Sequence, residues 1–202
     1  MSQVWCGAAA RPPDLTMVVI EPCRRGKHSL HSKSRYNTSS AMDDNFTPIS
    51  DELWMEEALR VAQRALDAGE VPVGAVVVHA GKIVGRGWNR NLTDVDPTAH
   101  AEILALREAG ARVGNHRLGD CELFATIEPC AMCAGAMVHA RLKRLVYGAD
   151  DPKAGAVHSV LQVLNHPRLN HQMEVSQGVL AQRCADLLQS FFRKRREEQK
   201  QS

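Results

Sequence analysis

The sequence predicts an α/β fold in which helices cover the faces of a mixed β-sheet. Apolar runs of strand length alternate with segments whose apolar residues follow helical spacing. The first two strand segments are separated by a short turn, which is typical of a hairpin. Alternating strands and helices favour a layered sheet, and the hairpin makes that sheet mixed rather than purely parallel.

The first helix is predicted to begin at Ser50, a good N-cap residue. Asp51 and Glu52 then place negative charge in the first turn, where the helix dipole favours it. We expect Gly69 to end the helix. The apolar residues between follow helical spacing: Trp54, Ala58, Val61, Ala62 and Ala65.

Four apolar runs predict strands. Residues 73–78 form a nearly continuous apolar run, which is typical of a strand buried on both faces. Residues 79–82 turn the chain into a second strand that ends near Trp88. Residues 121–127 and 143–147 give the third and fourth strands.

Three further helices follow from the pattern. One begins near His100 after a polar loop at 89–98, and the next opens at a P-C-x-x-C segment and runs to about Ala140. Residues 150–174 are predicted to be loop, with short helical stretches around 157–164. The last helix is amphipathic and ends in a charged run at 193–200; its apolar face consists of Leu180, Cys184, Leu187, Leu188 and Phe191.

Residues 1–46 are predicted to be a disordered N-terminal extension, because they are rich in polar residues and lack apolar periodicity. An alternative is a mis-assigned start, with translation beginning at Met17 or Met42. Residues 47–202 then form one domain. Of the 25 Lys/Arg and 23 Asp/Glu, six and two lie in residues 1–41, so residues 42–202 have 19 basic and 21 acidic residues. Any contact of this domain with nucleic acid therefore requires a local basic patch.

The chain is expected to be cytoplasmic and not membrane-bound. No apolar run approaches the roughly 20 residues that span a bilayer. The six cysteines lack the spacing of a disulfide framework, and thiolates that bind a metal favour a reducing compartment.

The sequence H-A-E at 100–102, followed by P-C-A-M-C at 129–133, predicts a catalytic zinc site. His100, Cys130 and Cys133 supply three ligands, whereas a structural zinc site normally has four. Glu102 is then free to move protons to and from a water that the metal activates. H-x-E with P-C-x-x-C is the signature of zinc-dependent base deaminases. Pro129 suits the first helical position, so that both cysteines share the first turn.

Other interpretations of these residues are less specific. A C-x-x-C pair also occurs in structural zinc sites and redox proteins, and here Cys121 or His139 would be the candidate fourth ligand. The spacing of neither is that of a zinc finger. Cys184 is interpreted as a core residue, and the other histidines of the domain as surface or packing residues.

Residues 54–196 resemble the bacterial tRNA-specific adenosine deaminases, which belong to the cytidine/deoxycytidylate deaminase superfamily. The resemblance depends on several segments beyond the zinc motif: EVPVGAV at 70–76, GWNR at 87–90, DPTAHAEI at 96–103, TIEPCAMCAGAM at 126–137, NHP at 165–167, NH at 170–171 and FFRKRR at 191–196.

This resemblance implies a cytidine-deaminase-like three-layer α/β/α fold with a central mixed sheet of about five strands. It also implies hydrolytic deamination of adenosine to inosine at the wobble position of the tRNA anticodon, with one Zn²⁺ per subunit and a homodimer. Asn89 is similar to the residue that hydrogen-bonds the flipped-out nucleotide, and Val73 to part of the wall around the base. Asp151 is similar to a position near the preceding nucleotide, whereas Asp150 stands where relatives often have a basic residue.

The end of the last helix is a candidate RNA-binding surface. Arginine forms bidentate contacts with phosphate, and phenylalanine stacks on splayed bases. The residues concerned are Phe191 or Phe192, Arg193, Arg195 and Arg196. A solvated helix end with core phenylalanines is the competing interpretation. Two rival functions also remain open: a deaminase of free bases or nucleosides of the guanine or cytosine type, and a non-catalytic zinc-containing RNA-binding subunit.

Overall fold

The computed structural model describes residues 50–164 and 166–201. In this part of the chain there are five strands and four helices, in the order α1 (Asp51–Asp67), β1 (Gly74–His79), β2 (Lys82–Trp88), α2 (Ala101–Val113), β3 (Cys121–Ile127), α3 (Ala131–Ala140), β4 (Arg144–Ala149), β5 (Glu174–Gln177) and α4 (Ala181–Gln201). The predicted extension at 1–46 and the lead-in at 47–49 lie outside the described residues.

Helix α1 begins where the sequence predicts, but with a different stabilising contact. Ser50 occupies the N-cap position with extended backbone, and its side chain makes no capping hydrogen bond in the described structure. Asp51 instead accepts a 2.9 Å hydrogen bond at its Oδ1 from Nη1 of Arg144 on β4. The helix ends at Asp67, and Gly69 follows with a positive φ of 75°. The start of α1 is therefore tied to the sheet by an ion pair.

Strands β1 and β2 form the predicted hairpin. Two residues connect them, Ala80 and Gly81, and both have a positive φ (48° and 69°). This geometry is that of a two-residue turn whose twist matches the strands on either side. Strand β1 is shifted by one residue from the predicted 73–78.

The sheet has the order β2-β1-β3-β4-β5. Strand β1 pairs antiparallel with both β2 and β3, whereas β3 with β4 and β4 with β5 are parallel. The prediction of a mixed sheet of about five strands is therefore confirmed. β5 is the strand that no apolar run predicts. The short helical stretches expected at 157–164 are wrong, because these residues form turns, a bend and irregular chain.

Helices lie on both faces of the sheet, which confirms the three-layer arrangement. Val76, Phe124 and Val146 project from the central strands into one core, together with buried residues of α1 and α4. The alternate strand residues, including Val77 and Leu123, project into a second core with α2 and α3. No helix in the described residues is both long and apolar enough to cross a membrane.

One boundary near functional residues differs from the prediction. Helix α3 starts at Ala131, so Cys130 is its N-cap and Pro129 lies before the helix rather than in its first turn. Helix α4 runs to Gln201 and so includes the charged run 193–200, as predicted.

Helix α2 lies unusually close to β2. A Cβ atom built on Gly87 would overlap the carbonyl oxygen of Ala101 and lie 2.6 Å from the backbone nitrogen of Ala105. Only glycine at this position allows the first turn of α2 to approach the strand.

We expect Gly87→Ala to lower the free energy of unfolding by about 1–3 kcal/mol, because the added methyl group pushes α2 from the sheet. Urea unfolding measures this change. The control is Gly119→Ala, whose Cβ would have only an ordinary 3.7 Å contact with the carbonyl oxygen of Arg141. Equal effects of the two substitutions would contradict this interpretation of the close approach.

Candidate active site

The predicted metal ligands meet at the N-termini of two helices. His100 is the N-cap of α2, and Cys130 is the N-cap of α3; both have extended backbone. Cys133 lies in the first turn of α3 and is fully buried. The sheet brings these helix ends together because both helices pack on the same face.

The distances between these side chains fit a zinc ion. Nδ1 of His100 lies 3.6 Å from Sγ of Cys130 and 3.6 Å from Sγ of Cys133. Tetrahedral bonds of about 2.3 Å to sulfur and 2.0–2.1 Å to nitrogen place the two donor atoms about 3.6 Å apart. The three donor atoms therefore have the separation and the chemistry of a zinc site.

The electrostatic environment favours a thiolate at Cys130. Hydrogen bonds from Cys133 and then from His100 lower the pKa of Cys130 to about 3. The hydrogen bond to Cys130, together with burial, raises the pKa of Cys133. A cation between the two sulfurs favours the thiolate form of both.

The candidates for a fourth ligand do not reach this group. Among the described residues, the cluster of possible ligand atoms contains His100, Cys130 and Cys133 alone. Cys121 is at the opposite end of β3 and is buried in the core. His139 is exposed in the last turn of α3. This arrangement supports an open site rather than a closed structural one.

Glu102 lies in the first turn of α2, two residues after His100, and only 3% of it is exposed. Burial raises the pKa of its carboxyl group, while the nearby His100 opposes the shift. Cys133 is a hydrogen-bonding partner of this carboxyl group. Glu102 therefore faces the ligand cluster without belonging to it, and a raised pKa suits a group that must both accept and donate a proton.

Asn89 and Val73 adjoin the same helix end. The buried Asn89 accepts a 2.9 Å hydrogen bond at Oδ1 from the backbone N–H of Ala101, at the start of α2. Its own backbone N–H donates to the carbonyl of Val73 at 3.3 Å. Val73 is buried just before β1. This contact uses the side-chain oxygen of Asn89, and within the described residues its two side-chain N–H donors have no hydrogen-bond partner.

Asp151 stands in a loop after β4. Its Oδ1 accepts hydrogen bonds from the backbone N–H groups of Lys153 at 2.9 Å and Ala154 at 3.2 Å. The neighbouring Asp150 is exposed and lies 3.7 Å from Nε2 of His158. The carboxylate of Asp150, at the position where relatives often have a basic residue, therefore lies beside the imidazole of His158.

Two buried glutamates near the site were not predicted from the sequence. Glu70 accepts hydrogen bonds at Oε1 from the backbone N–H and the hydroxyl of Thr93, and so anchors the loop between β2 and α2. Glu128 follows β3 directly and is 1% exposed. An acidic residue inside an otherwise apolar run, as in Thr-Ile-Glu-Pro at 126–129, is the signal that could have identified Glu128.

The candidate RNA-binding residues lie on α4, which packs on the sheet face opposite to α2 and α3. Phe191 is 8% exposed and lies under the guanidinium of Arg195, 5.6 Å from the ring centroid. Phe192 is 42% exposed. Arg193 and Arg196 are also exposed. The burial of Phe191 favours a packing role, so Phe192 is the better candidate for stacking.

Comparison with known proteins identifies the family. The family model of MafB19-like deaminases matches residues 49–196. The chain is 50% identical over 151 residues to the tRNA-specific adenosine deaminase of Haemophilus influenzae, which covers 74% of this chain and 87% of that protein. The chain belongs to the tRNA-specific adenosine deaminases. The enzyme of the same name from Bacillus subtilis is 45% identical over 150 residues, covering 74% of this chain and 93% of that one.

Solved structures agree with the membership of the tRNA-specific adenosine deaminases. A structure from biochemical and structural studies of A-to-I editing by tRNA:A34 deaminases at the wobble position of transfer RNA matches with a TM-score of 0.65 and 43% identity. It covers 67% of this chain and 99% of that one. A guanine deaminase from Nitrosomonas europaea matches with a TM-score of 0.59 and 27% identity, covering 70% and 84%. The cytidine-deaminase-like fold predicted from the sequence is confirmed.

We expect Asn89→Ala to lower the free energy of unfolding by about 1–3 kcal/mol, because it leaves the buried N–H of Ala101 without an acceptor. Asn89→Asp retains an acceptor next to a helix N-terminus, so most of the stability should remain. Urea unfolding of both variants measures the difference. If Asn89→Asp were as destabilising as Asn89→Ala, the hydrogen bond to Ala101 would not be the stabilising contact.

Proposed function

We propose that this protein hydrolyses adenosine to inosine at the wobble position of a tRNA anticodon and releases ammonia. The observation that carries the proposal is the three-ligand cluster with the buried Glu102 beside it, in a chain that is 45–50% identical to tRNA-specific adenosine deaminases over 74% of its length. These relatives are named for this activity. The three candidate zinc ligands and Glu102 are the residue types that such a deaminase requires.

His100, Cys130 and Cys133 are proposed to hold one Zn²⁺ per subunit. Bound zinc would supply the Lewis acidity that lowers the pKa of water towards neutrality. His100 would bind through Nδ1, since this nitrogen faces both sulfurs at 3.6 Å. The positive ends of α2 and α3 help to hold the thiolates at this place.

Glu102 is proposed as the proton shuttle. It takes a proton from the attacking water, gives it to a ring nitrogen of adenine, and takes the second proton to the departing amine. The water oxygen first bonds to the ring carbon that carries the amine, and the bond from that carbon to the amine then breaks, so water and adenosine give inosine and ammonia. Burial supports this role because it raises the pKa of Glu102 and brings its two protonation states closer in free energy.

Asn89, Val73 and Asp151 are proposed to form the nucleotide pocket. Asn89 is held by Ala101 through its oxygen, so its N–H groups can donate to the flipped-out nucleotide. The buried Val73 borders Asn89 and offers an apolar wall. Asp151 belongs to the loop after β4 and would contact the preceding nucleotide.

A homodimer is also proposed, as the resemblance to the family predicts. An open apolar groove lies between α2 and α3, lined by Ile103, Leu106, Ala136 and Ala140 among others. Contiguous apolar surface of this kind marks interaction sites, which supports a second copy of the chain as the partner.

Activity on tRNA also fits the predicted cytoplasmic location.

We expect Glu102→Gln to reduce deamination of an anticodon stem-loop by about 10²–10⁴-fold, because glutamine keeps the shape but cannot carry the proton. Inosine formation is measured by nuclease digestion and mass spectrometry, and zinc content by elemental analysis. Zinc content should not change. Glu57→Gln on α1 serves as control, since its ion-pair partner among the described residues is Arg60, one turn away.

A fully active Glu102→Gln variant would exclude this role for Glu102. The same assay with free adenosine, guanine and cytidine tests the rival deaminases of free bases or nucleosides, which should prefer the small substrates. A wild-type protein that binds the stem-loop and zinc but releases no ammonia would instead be a non-catalytic subunit.

The end of α4 is proposed as an RNA-binding surface made by Phe192, Arg193, Arg195 and Arg196. We expect the double substitution Arg195→Gln/Arg196→Gln to weaken stem-loop binding and to reduce the slope of log affinity against log salt by about 0.7 per lost phosphate contact. Fluorescence anisotropy at several salt concentrations measures both. Arg183→Gln is the control, because Arg183 lies on the same helix but already pairs with Glu56. An unchanged salt slope in the double variant would exclude these phosphate contacts.

A further inference from the structure

The segment that carries the metal ligand Cys130 is bound to a loop by one buried carboxylate. Glu128 lies between the end of β3 and Cys130, and 1% of it is exposed. Its backbone N–H donates to the carbonyl of Ala149 at 2.8 Å, so β3 and β4 fix its position. The side chain points into the loop at 151–159 rather than into solvent.

Five donors of that loop surround the carboxylate. Oε1 accepts hydrogen bonds from the backbone N–H groups of Val157 (3.0 Å), His158 (2.9 Å) and Ser159 (3.0 Å). Oε2 accepts from the backbone N–H of Asp151 at 3.1 Å and from the hydroxyl of Ser159. The carboxylate of Glu128 therefore accepts hydrogen bonds from both ends of the loop.

Backbone contacts join the same two segments. The N–H of Ala156 donates to the carbonyl of Pro129 at 2.8 Å, and Cys130 and Gly155 form an isolated antiparallel bridge. The fit leaves no room for a side chain at Gly155: a Cβ there would overlap the Glu128 carboxylate and lie 2.6 Å from the carbonyl oxygen of Asp151. The 151–159 loop therefore packs directly against Pro129 and the proposed zinc ligand Cys130.

We propose that Glu128 is a positioning residue for deamination, and that its carboxylate holds the 151–159 loop at the edge of the metal site where the nucleotide before the target must bind. This inference rests on the proposed function, because Asp151 is the substrate contact that the loop would carry. A neutral side chain cannot replace the carboxylate, since an amide offers a single acceptor atom where five donors converge.

A cation site is the competing explanation of the same residues. Carboxylate and imidazole atoms of Glu128, Asp150 and His158 lie within 4.8 Å of one another. However, both oxygens of Glu128 already accept hydrogen bonds from the loop. Nδ1 of His158 is 2.7 Å from the hydroxyl of Tyr147. These contacts favour the hydrogen-bonded arrangement over a metal.

Glu128→Gln tests the proposal with the zinc-loaded full chain. We expect the variant to fold and to keep its zinc, to raise KM for an anticodon stem-loop by about 10- to 100-fold, and to change kcat less than KM. Amide hydrogen exchange should become faster in residues 151–159 and stay unchanged in α2. The visible spectrum of the cobalt-substituted protein should match that of the wild type, because the ligand set is intact.

Two further variants separate positioning from a general loss of stability. Gly155→Ala keeps the charge but displaces the carboxylate, and it should raise KM and loop exchange in the same way. Glu122→Gln, at the far end of the strand β3 that Glu128 follows, loses an ion pair with Arg144. It should lower the unfolding midpoint without changing KM.

The proposal is overturned if Glu128→Gln folds with wild-type KM and wild-type exchange in the loop. If Glu128→Gln does not fold, Gly155→Ala decides: wild-type KM and loop exchange in that variant overturn the proposal. A wild-type protein that fails to deaminate the stem-loop would contradict the proposed function instead. Loop exchange would still test the Glu128 contacts in that case, because it requires no activity.

Discussion

The meeting of two helix N-termini on one face of the sheet is the constraint on which the site depends. A neutral imidazole, two sulfurs and a carboxyl group are all costly to bury without partners. Here the positive ends of α2 and α3 stabilise the negative charge of the sulfurs. Nδ1 of His100 lies 3.6 Å from each sulfur, and the described residues supply no fourth ligand to this cluster. A catalytic zinc site keeps its fourth position open for water in this way.

Buried side chains that accept hydrogen bonds fix the segments around this site. Asn89 fixes the start of α2, and Glu70 anchors the loop that leads to it. Glu128 accepts hydrogen bonds from the 151–159 loop, which packs beside Cys130. The segments around the site lack regular secondary structure, so side chains supply the hydrogen bonds that a sheet or helix would otherwise provide. Loops anchored by buried side chains suit an enzyme that must position a nucleotide.

Local patterns in the sequence were sufficient for most of the fold and for bringing the three candidate metal ligands together. Strand β3 matches its apolar run, and the H-A-E and P-C-x-x-C segments meet as expected. Strand β5 was not predicted because its four residues, Glu174–Gln177, have no apolar pattern and depend on pairing with the distant β4. The helical stretch expected at 157–164 is absent from the described residues. There the N–H groups of Val157 and His158 donate to Glu128, and those of Val160 and Leu161 both donate to the carbonyl of Gly155. Such long-range contacts have no local signal in the sequence.

In the proposed function, the cluster of His100, Cys130 and Cys133 would hold the zinc that the reaction needs. Zinc-edge X-ray absorption of the purified protein tests the open site most directly. We expect a shell of two sulfur atoms at about 2.3 Å and two nitrogen or oxygen atoms near 2.0 Å, one of them exchangeable on addition of a transition-state analogue. Three or four sulfur atoms, or two imidazole nitrogens with no change on adding the analogue, would show a closed structural site and contradict this account.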